Sequence, residues 1–329
     1  MKMEKLVAEF PKNIADALEI AAASNFNSLD RKFTSVVIIG MGGSGIGGKL
    51  VAQLVSNEAT TPIVSVQDYD LHSFVNETTL VIASSYSGNT EETLIALASA
   101  EKKGATLVAI TSGGELYLDF KRKGFDIVKV PGGNPPRTAL AFSVVQLLNI
   151  LTEAKIISSD KLNQVKKCRA LLNDKLIPIK KKAKELAEFA SKAQFIIYAA
   201  SNFEAVAVRT RQQFNENAKI LCWHHVIPEM NHNELVGWGG GSDAYGAVFL
   251  DSKFINARNR KRFELSQEIV SAKTQHVFNL IPEGENIVEE SFYLIHLVDW
   301  ASVFLADIRS QDPVEIKVID YLKDELSKF

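Results

Sequence analysis

The chain has 329 residues, 46% of them hydrophobic, enough to bury a sizeable core and to divide into two domains. A formal net charge of −2 and a pI near 6.3 leave no electrostatic footprint for nucleic acid or for an anionic membrane surface. Two cysteines, Cys168 and Cys222, give no disulfide framework and fit a reducing compartment.

The N-terminus lacks an uninterrupted apolar stretch and meets Pro11 early, so no signal peptide is expected. No apolar run is expected to approach the ~20 residues that span a bilayer, and a cytoplasmic location follows as the expectation. Residues 12–24 read as an amphipathic helix. Ser35 to Gly40 is a β-branched run ending at glycine, followed by Gly42-Gly43-Ser44-Gly45 and an apolar helix through Leu54. Further strands are expected at 62–66, 80–83, 106–110 and 126–130, with a helix over 91–103 and an apolar helix over 139–153. Strands that alternate with helices and read as continuous apolar runs imply a parallel sheet covered on both faces.

A Lys-rich helical stretch, 159–191, separates the halves, and the domains are placed at 1–153 and 154–329. Lys180-Lys181-Lys182 and the Arg258–Arg262 cluster read as solvated faces. Phe195 to Asn202 and the helix after it replay the opening of the first domain, but without its glycines. Strands at 247–250 and 274–280, a buried helix over 288–308 and a terminal helix over 313–328 complete the second half. The glycine-rich stretch 237–242 reads as a turn, because no strand leads into it.

The most informative segment is Ser84-Ser85-Tyr86-Ser87-Gly88-Asn89-Thr90-Glu91-Glu92-Thr93. It leaves a strand and enters a helix N-terminus, where N–H groups lack intrahelical partners and the macrodipole favours an anion. Hydroxyls at Ser85, Ser87 and Thr90 suit three phosphate oxygens; an ordinary helix cap is the alternative. Gly40-Met41-Gly42-Gly43-Ser44-Gly45, with Asp68 after the next strand, also satisfies the dinucleotide fingerprint. That fingerprint, however, calls for neither Ser44 nor the hydroxyl-rich turn. A nicotinamide dehydrogenase is therefore the lesser reading. Arg137, in Pro135-Pro136-Arg137-Thr138, sits at a rigid helix start, where a guanidinium neutralises phosphate or an oxyanion, or merely caps surface structure.

The densest polar region runs from Asn215-Glu216-Asn217 through Cys222-Trp223-His224-His225 to Asn231-His232-Asn233-Glu234. Cys222, His224, His225, Glu229 and His232 are metal-ligand types without a recognised spacing. An acid/base pair of Glu216 and His232 is favoured over metal.

Taken in order, these motifs, with Asp312-Pro313 and Leu322-Lys323, resemble the bifunctional phosphoglucose/phosphomannose isomerases of the sugar isomerase (SIS) superfamily. The resemblance implies two SIS domains, each a five-stranded parallel sheet between helices, in a homodimer. It implies a hexose 6-phosphate held between the domains, with its phosphate on Ser44, Ser85, Ser87 and Thr90 beside Gly43, and no metal or redox cofactor. Glu216 matches the base that shuttles a proton between carbons 1 and 2. His232, donated by the partner subunit, and Lys323 match the ring-opening residues, and Arg137 matches the arginine that steadies the enediolate. Lys317 rivals Lys323, which the spacing from Asp312-Pro313 favours. Ile316 departs from the family's threonine, so mannose 6-phosphate turnover is less secure than glucose 6-phosphate turnover. A non-catalytic SIS-type sugar-phosphate sensor would keep the serines but has no need of Glu216, His232 and Lys323 together.

Overall fold

The computed structural model describes residues 2–241 and 243–328. Ser242, the last residue of the glycine-rich stretch, lies outside the described residues. Two helices open the chain, α1 (Lys2–Ala8) and α2 (Phe10–Ala23). Pro11 does not break this segment: it sits in the first turn of α2, where a missing N–H removes no helical bond.

Strands β1 (Ser35–Ile39), β2 (Ile63–Val66), β3 (Thr79–Ser84), β4 (Thr106–Thr111) and β5 (Asp126–Lys129) form a parallel sheet in the order β2-β1-β3-β4-β5. β1 and β3 are buried at every position, as strands covered on both faces must be. Helices α3 (Gly42–Leu54), α4 (Glu91–Lys102), α5 (Gly114–Lys123), α6 (Leu140–Glu153) and α7 (Asp160–Asp174) connect and flank it. α6 buries nearly its whole surface and docks α2 through two buried amides. Gln146 Nε2 donates to Ala17 O at 2.7 Å and Asn149 Nδ2 to Ala21 O at 3.2 Å.

The second half begins with α8 (Leu176–Ala190), β6 (Gln194–Ala200), α9 (Glu204–Ala218) and β7 (Trp223–Ile227). It continues with α10 (Glu234–Gly237), β8 (Tyr245–Leu250), α11 (Ala257–Ser271) and β9 (Val277–Leu280), then α12 (Ile287–Ile308) and α13 (Lys317–Leu326). Its sheet is parallel in the order β7-β6-β8-β9. The expectation of five strands here is corrected to four among the described residues. After β9 the chain runs through Ile281-Pro282 into α12, and the described residues beyond β9 form helices and their connections only. β7 is hard to read from the sequence, because its two histidines and exposed Trp223 hide the apolar pattern.

The compact units are discontinuous in sequence. One is Ala8–Asp174 with Glu283–Tyr293; the other is Met1–Val7, Lys175–Pro282 and Leu294–Phe329. The Lys-rich linker therefore divides, α7 belonging to the first unit and α8 to the second. α12 is long and apolar enough to cross a membrane, yet 83% of its most apolar window is buried inside the protein. It is a core helix.

That helix carries a histidine in apolar surroundings. Burial, helped by nearby Lys180, lowers His296 to about 3. Its Nε2 accepts a hydrogen bond from Trp300 Nε1–H at 3.2 Å, which requires an unprotonated ring nitrogen. An unfolded chain protonates this imidazole below pH ~6.5, while the folded protein resists until near 3, so the unfolded state binds more protons between those values. Stability should fall with decreasing pH across that window, by about 1.4 kcal/mol per pH unit from this group. His296→Gln should flatten the acid limb of stability measured by urea unfolding from pH 7 to 4.5; parallel profiles would contradict the assignment.

Candidate active site

In an open parallel sheet, ligands bind outside the carboxyl ends of the strands where the strand order reverses. In the first sheet that point lies between β1 and β3, paired with Ile39 opposite Ala83. The chain leaves β1 into the glycine turn and α3, and leaves β3 into the serine turn and α4. Two helix N-termini, each with N–H groups that have no intrahelical acceptor, are set there.

Close approach explains the glycines. A Cβ on Gly40 would sit 2.6 Å from Ser84 O, one on Gly45 2.3 Å from Gly40 O, and one on Gly43 2.9 Å from Arg137 N. Gly88 has φ +72°, and a Cβ there would lie 1.9 Å from Gly113 O.

Hydroxyls stitch the turns together. Ser44 Oγ accepts from Tyr86 N–H at 3.1 Å, tying the turn after β1 to the turn after β3. Ser85 Oγ donates to Thr90 Oγ1 at 3.0 Å, and Ser87 Oγ accepts from Asn89 N–H at 3.3 Å. Thr90 is the N-cap residue of α4 but makes no side-chain cap bond, so the ordinary-cap alternative does not describe it. Ser44 and Ser85 are buried, Thr90 is half-buried and Ser87 is exposed. A cavity of about 10 Å³ lined by Gly43, Ser44, Tyr86 and Pro136 lies at the turn. It holds no more than a water. Arg137 is buried on the short helical turn Pro136–Thr138, its backbone against Gly43. Gly43, Ser44, Ser85, Ser87, Thr90 and Arg137 thus all belong to the first unit.

Glu216, His232 and Lys323 belong to the second unit. Glu216 is half-buried on the last turn of α9. The buried face of α9 is fixed by polar contacts to α12. Arg209 grips Asp299 through bonds of 2.9 and 3.0 Å, and Asn217 Nδ2 donates to Ser302 Oγ at 2.9 Å. Asn217 is therefore an anchor. Asn215 Nδ2 likewise donates to Ile220 O at 2.7 Å, closing the helix end.

The Asn-His-Asn-Glu motif divides in the same way. Asn231 Nδ2 donates to Ser266 Oγ at 2.7 Å, Asn233 Nδ2 to Glu229 Oε1 at 3.0 Å, and Asn233 Oδ1 accepts from Glu234 N–H at 2.6 Å. Glu234 accepts from the Tyr198 hydroxyl and pairs with His225 Nδ1 at 3.0 Å, while Trp238 Nε1 donates to Tyr198 at 2.8 Å. Burial, then the Glu234 carboxylate, holds the Tyr198 phenol protonated far above its usual range. The motif's other members fold the turn, and His232 stands exposed at its end. Lys323 and Lys317 are both exposed on α13, and Ile316 is half-buried just before it.

The metal-ligand types diverge. His224 and His225 are adjacent on β7 and face different partners, Glu204 at 3.8 Å and Glu234 at 3.0 Å. Burial pushes the Cys222 thiol up to about 12, away from the thiolate a metal needs. No group of three such side chains is placed to hold an ion among the described residues. Sequence reasoning passed over Tyr198, Tyr86 and Asn89. The last two brace the serine turn: Tyr86 Oη accepts from Asn134 N–H at 3.3 Å and Asn89 Oδ1 from Glu115 N–H at 2.8 Å. Their signal was only their place inside the motif.

This fold and site define a protein with SIS domains. Residues 31–118 match the SIS domain family, and 179–326 match the bacterial phospho-glucose isomerase C-terminal SIS domain. A bifunctional phosphoglucose/phosphomannose isomerase from Caldicellulosiruptor bescii is 34% identical, covering 99% of both chains. Its namesake from Aquifex aeolicus is 35% identical over 90% of this chain and 91% of that one. The chain belongs to the bifunctional phosphoglucose/phosphomannose isomerase family. The fold is shared more widely: tagatose-6-phosphate ketose/aldose isomerase from Escherichia coli superposes with a TM-score of 0.73 at 16% identity, covering 95% of this chain and 94% of that one.

Gly88→Ala should cost about 3 kcal/mol of stability, from positive-φ strain and the clash with Gly113. A urea midpoint shift worth less than about 0.5 kcal/mol would show that the turn yields.

Proposed function

We propose that the protein is an aldose–ketose isomerase that interconverts glucose 6-phosphate, and mannose 6-phosphate, with fructose 6-phosphate. The observation that carries this reading is the Ser44, Ser85, Ser87 and Thr90 hydroxyl cluster at two helix N-termini, in a chain of this family. Those groups suit a dianionic phosphate, which the helix N-termini also favour.

His232 and Lys323 open the sugar ring by moving a proton from the carbon 1 hydroxyl to the ring oxygen. Glu216 then removes the carbon 2 proton of the open aldose, and the C–H electron pair becomes the carbon 1–carbon 2 double bond of an enediolate. The Arg137 guanidinium balances the negative oxygen. A proton passes from the carbon 2 hydroxyl to the carbon 1 oxygen, and Glu216 returns its proton to carbon 1 as the carbon 2 carbonyl forms, giving the ketose. One base on one face suffices, because rotation about the carbon 2–carbon 3 bond presents either epimer to it. The acid–base residues turn over without metal or redox cofactor. The working form is a cytoplasmic homodimer in which each active site takes His232 from the partner subunit; its exposure on the folded turn leaves it available for that role.

Glu216→Gln should lower turnover of glucose 6-phosphate at least 1000-fold, roughly the upper part of what a general base contributes, with little change in affinity for inorganic phosphate by calorimetry. Near-normal turnover would refute the base. Ile316→Thr supplies a hydroxyl that isoleucine lacks. It should raise mannose 6-phosphate turnover relative to glucose 6-phosphate in a coupled assay, and an unchanged ratio would remove residue 316 from epimer choice.

A further inference from the structure

Lys219 follows the last residue of α9 with φ 52° and ψ 43°, in the left-handed region. Helices usually place glycine there, because a Cβ crowds the carbonyl. The Lys219 N–H closes the helix on Phe214 O, a service any glycine provides. The side chain is what glycine lacks. Its ammonium donates to Glu216 O at 2.8 Å, Asp312 O at 2.7 Å and Glu315 O at 2.7 Å. That is as many carbonyls as an ammonium has protons.

A helix-dipole contact alone would be met by Glu216 O. The other two acceptors are 93 and 96 residues further along the chain, at the root of α13. That root is built to hold a shape: Asp312 Oδ1 accepts from Val314 N–H at 2.9 Å, Glu315 accepts from Lys317 N–H, and Pro313 is buried. α13 has no buried residue of its own, and Val318 and Tyr321 are 82% and 68% exposed. Its placement is therefore decided at its root.

We propose that Lys219 is a positioning residue that clamps the Glu216 end of α9 to the root of α13 and so sets where Lys323 stands for ring opening. This rests on the roles given above to Glu216 and Lys323.

The experiment uses the purified full chain and follows two exchanges by NMR: interconversion of glucose 6-phosphate anomers, which reports ring opening, and deuterium uptake at carbon 2, which reports Glu216. Lys219→Gly relieves the backbone strain and removes the clamp. It should slow anomer exchange at least about tenfold while unfolding within a few degrees of wild type. In a Lys323→Met background it should slow exchange no further, within about twofold, because the two residues act as one unit. Lys219→Met, which keeps the strained backbone, repeats the kinetic test should the glycine variant fold poorly. Anomer exchange within about twofold of wild type in both Lys219 variants, or an effect that multiplies in full onto Lys323→Met, would overturn the clamp. Wild-type exchange in Lys323→Met alone would overturn the Lys323 assignment and the clamp with it. Glu216→Gln, losing carbon 2 uptake but keeping anomer exchange, checks the underlying reading separately.

Discussion

The hydrogen bond from Tyr86 N–H to Ser44 Oγ joins the two turns on which the phosphate reading depends. It forms because β1 and β3 are neighbours in the sheet although β2 lies between them in sequence. That crossover sets the exits of two strands side by side. Glycines at 40, 43, 45 and 88 then let backbone approach backbone at distances that a Cβ would forbid. Remove the adjacency and the hydroxyls of Ser44 and Ser85 become separate helix-start features.

The same division of labour recurs in the second unit. Asn217, Arg209, Asn231, Asn233 and Glu234 each spend their polar groups on the protein itself, through partners in α12, α11, β6, β7 or their own turn. A buried Arg–Asp pair such as Arg209–Asp299 contributes little net stability against an apolar pair, but breaking it costs about 3–5 kcal/mol. Its geometry is bidentate, and that fixes the rotation of α9 about its axis. In these segments the residues that hold a motif in shape outnumber Glu216 and His232.

The absence of a glycine turn after β6 has a structural counterpart. At the corresponding reversal in the second sheet, between β6 and β8, the loops bond to one another. Asn202 Nδ2 donates to Phe254 O at 3.0 Å, and Arg260 pairs with Asp251 at 2.6 Å and also binds Ser252 O. Two units of related topology thus differ at the reversal: the first carries a glycine-rich turn with exposed and half-buried hydroxyls, and the second lacks the glycines and is tied by internal bonds.

Local sequence was enough for the first sheet, the hydroxyl-rich turn and the long buried helix, because continuous β-branched runs, a Ser/Gly punctuation and an uninterrupted apolar stretch each follow from short-range chemistry. It did not reveal β7, whose histidines and exposed tryptophan break the apolar pattern, nor that the second sheet stops at four strands, since strand count depends on which runs find a free edge. Nor could it separate Asn217 and Glu234 from Glu216 and His232, which stand beside them in the same motifs. That separation is decided by burial and by partners far away in sequence, such as Ser302 for Asn217 and Tyr198 for Glu234. Lys219 makes the point most directly: nothing in its neighbours along the chain announces two carbonyls more than ninety residues distant, and only the folded backbone brings them within reach of its ammonium.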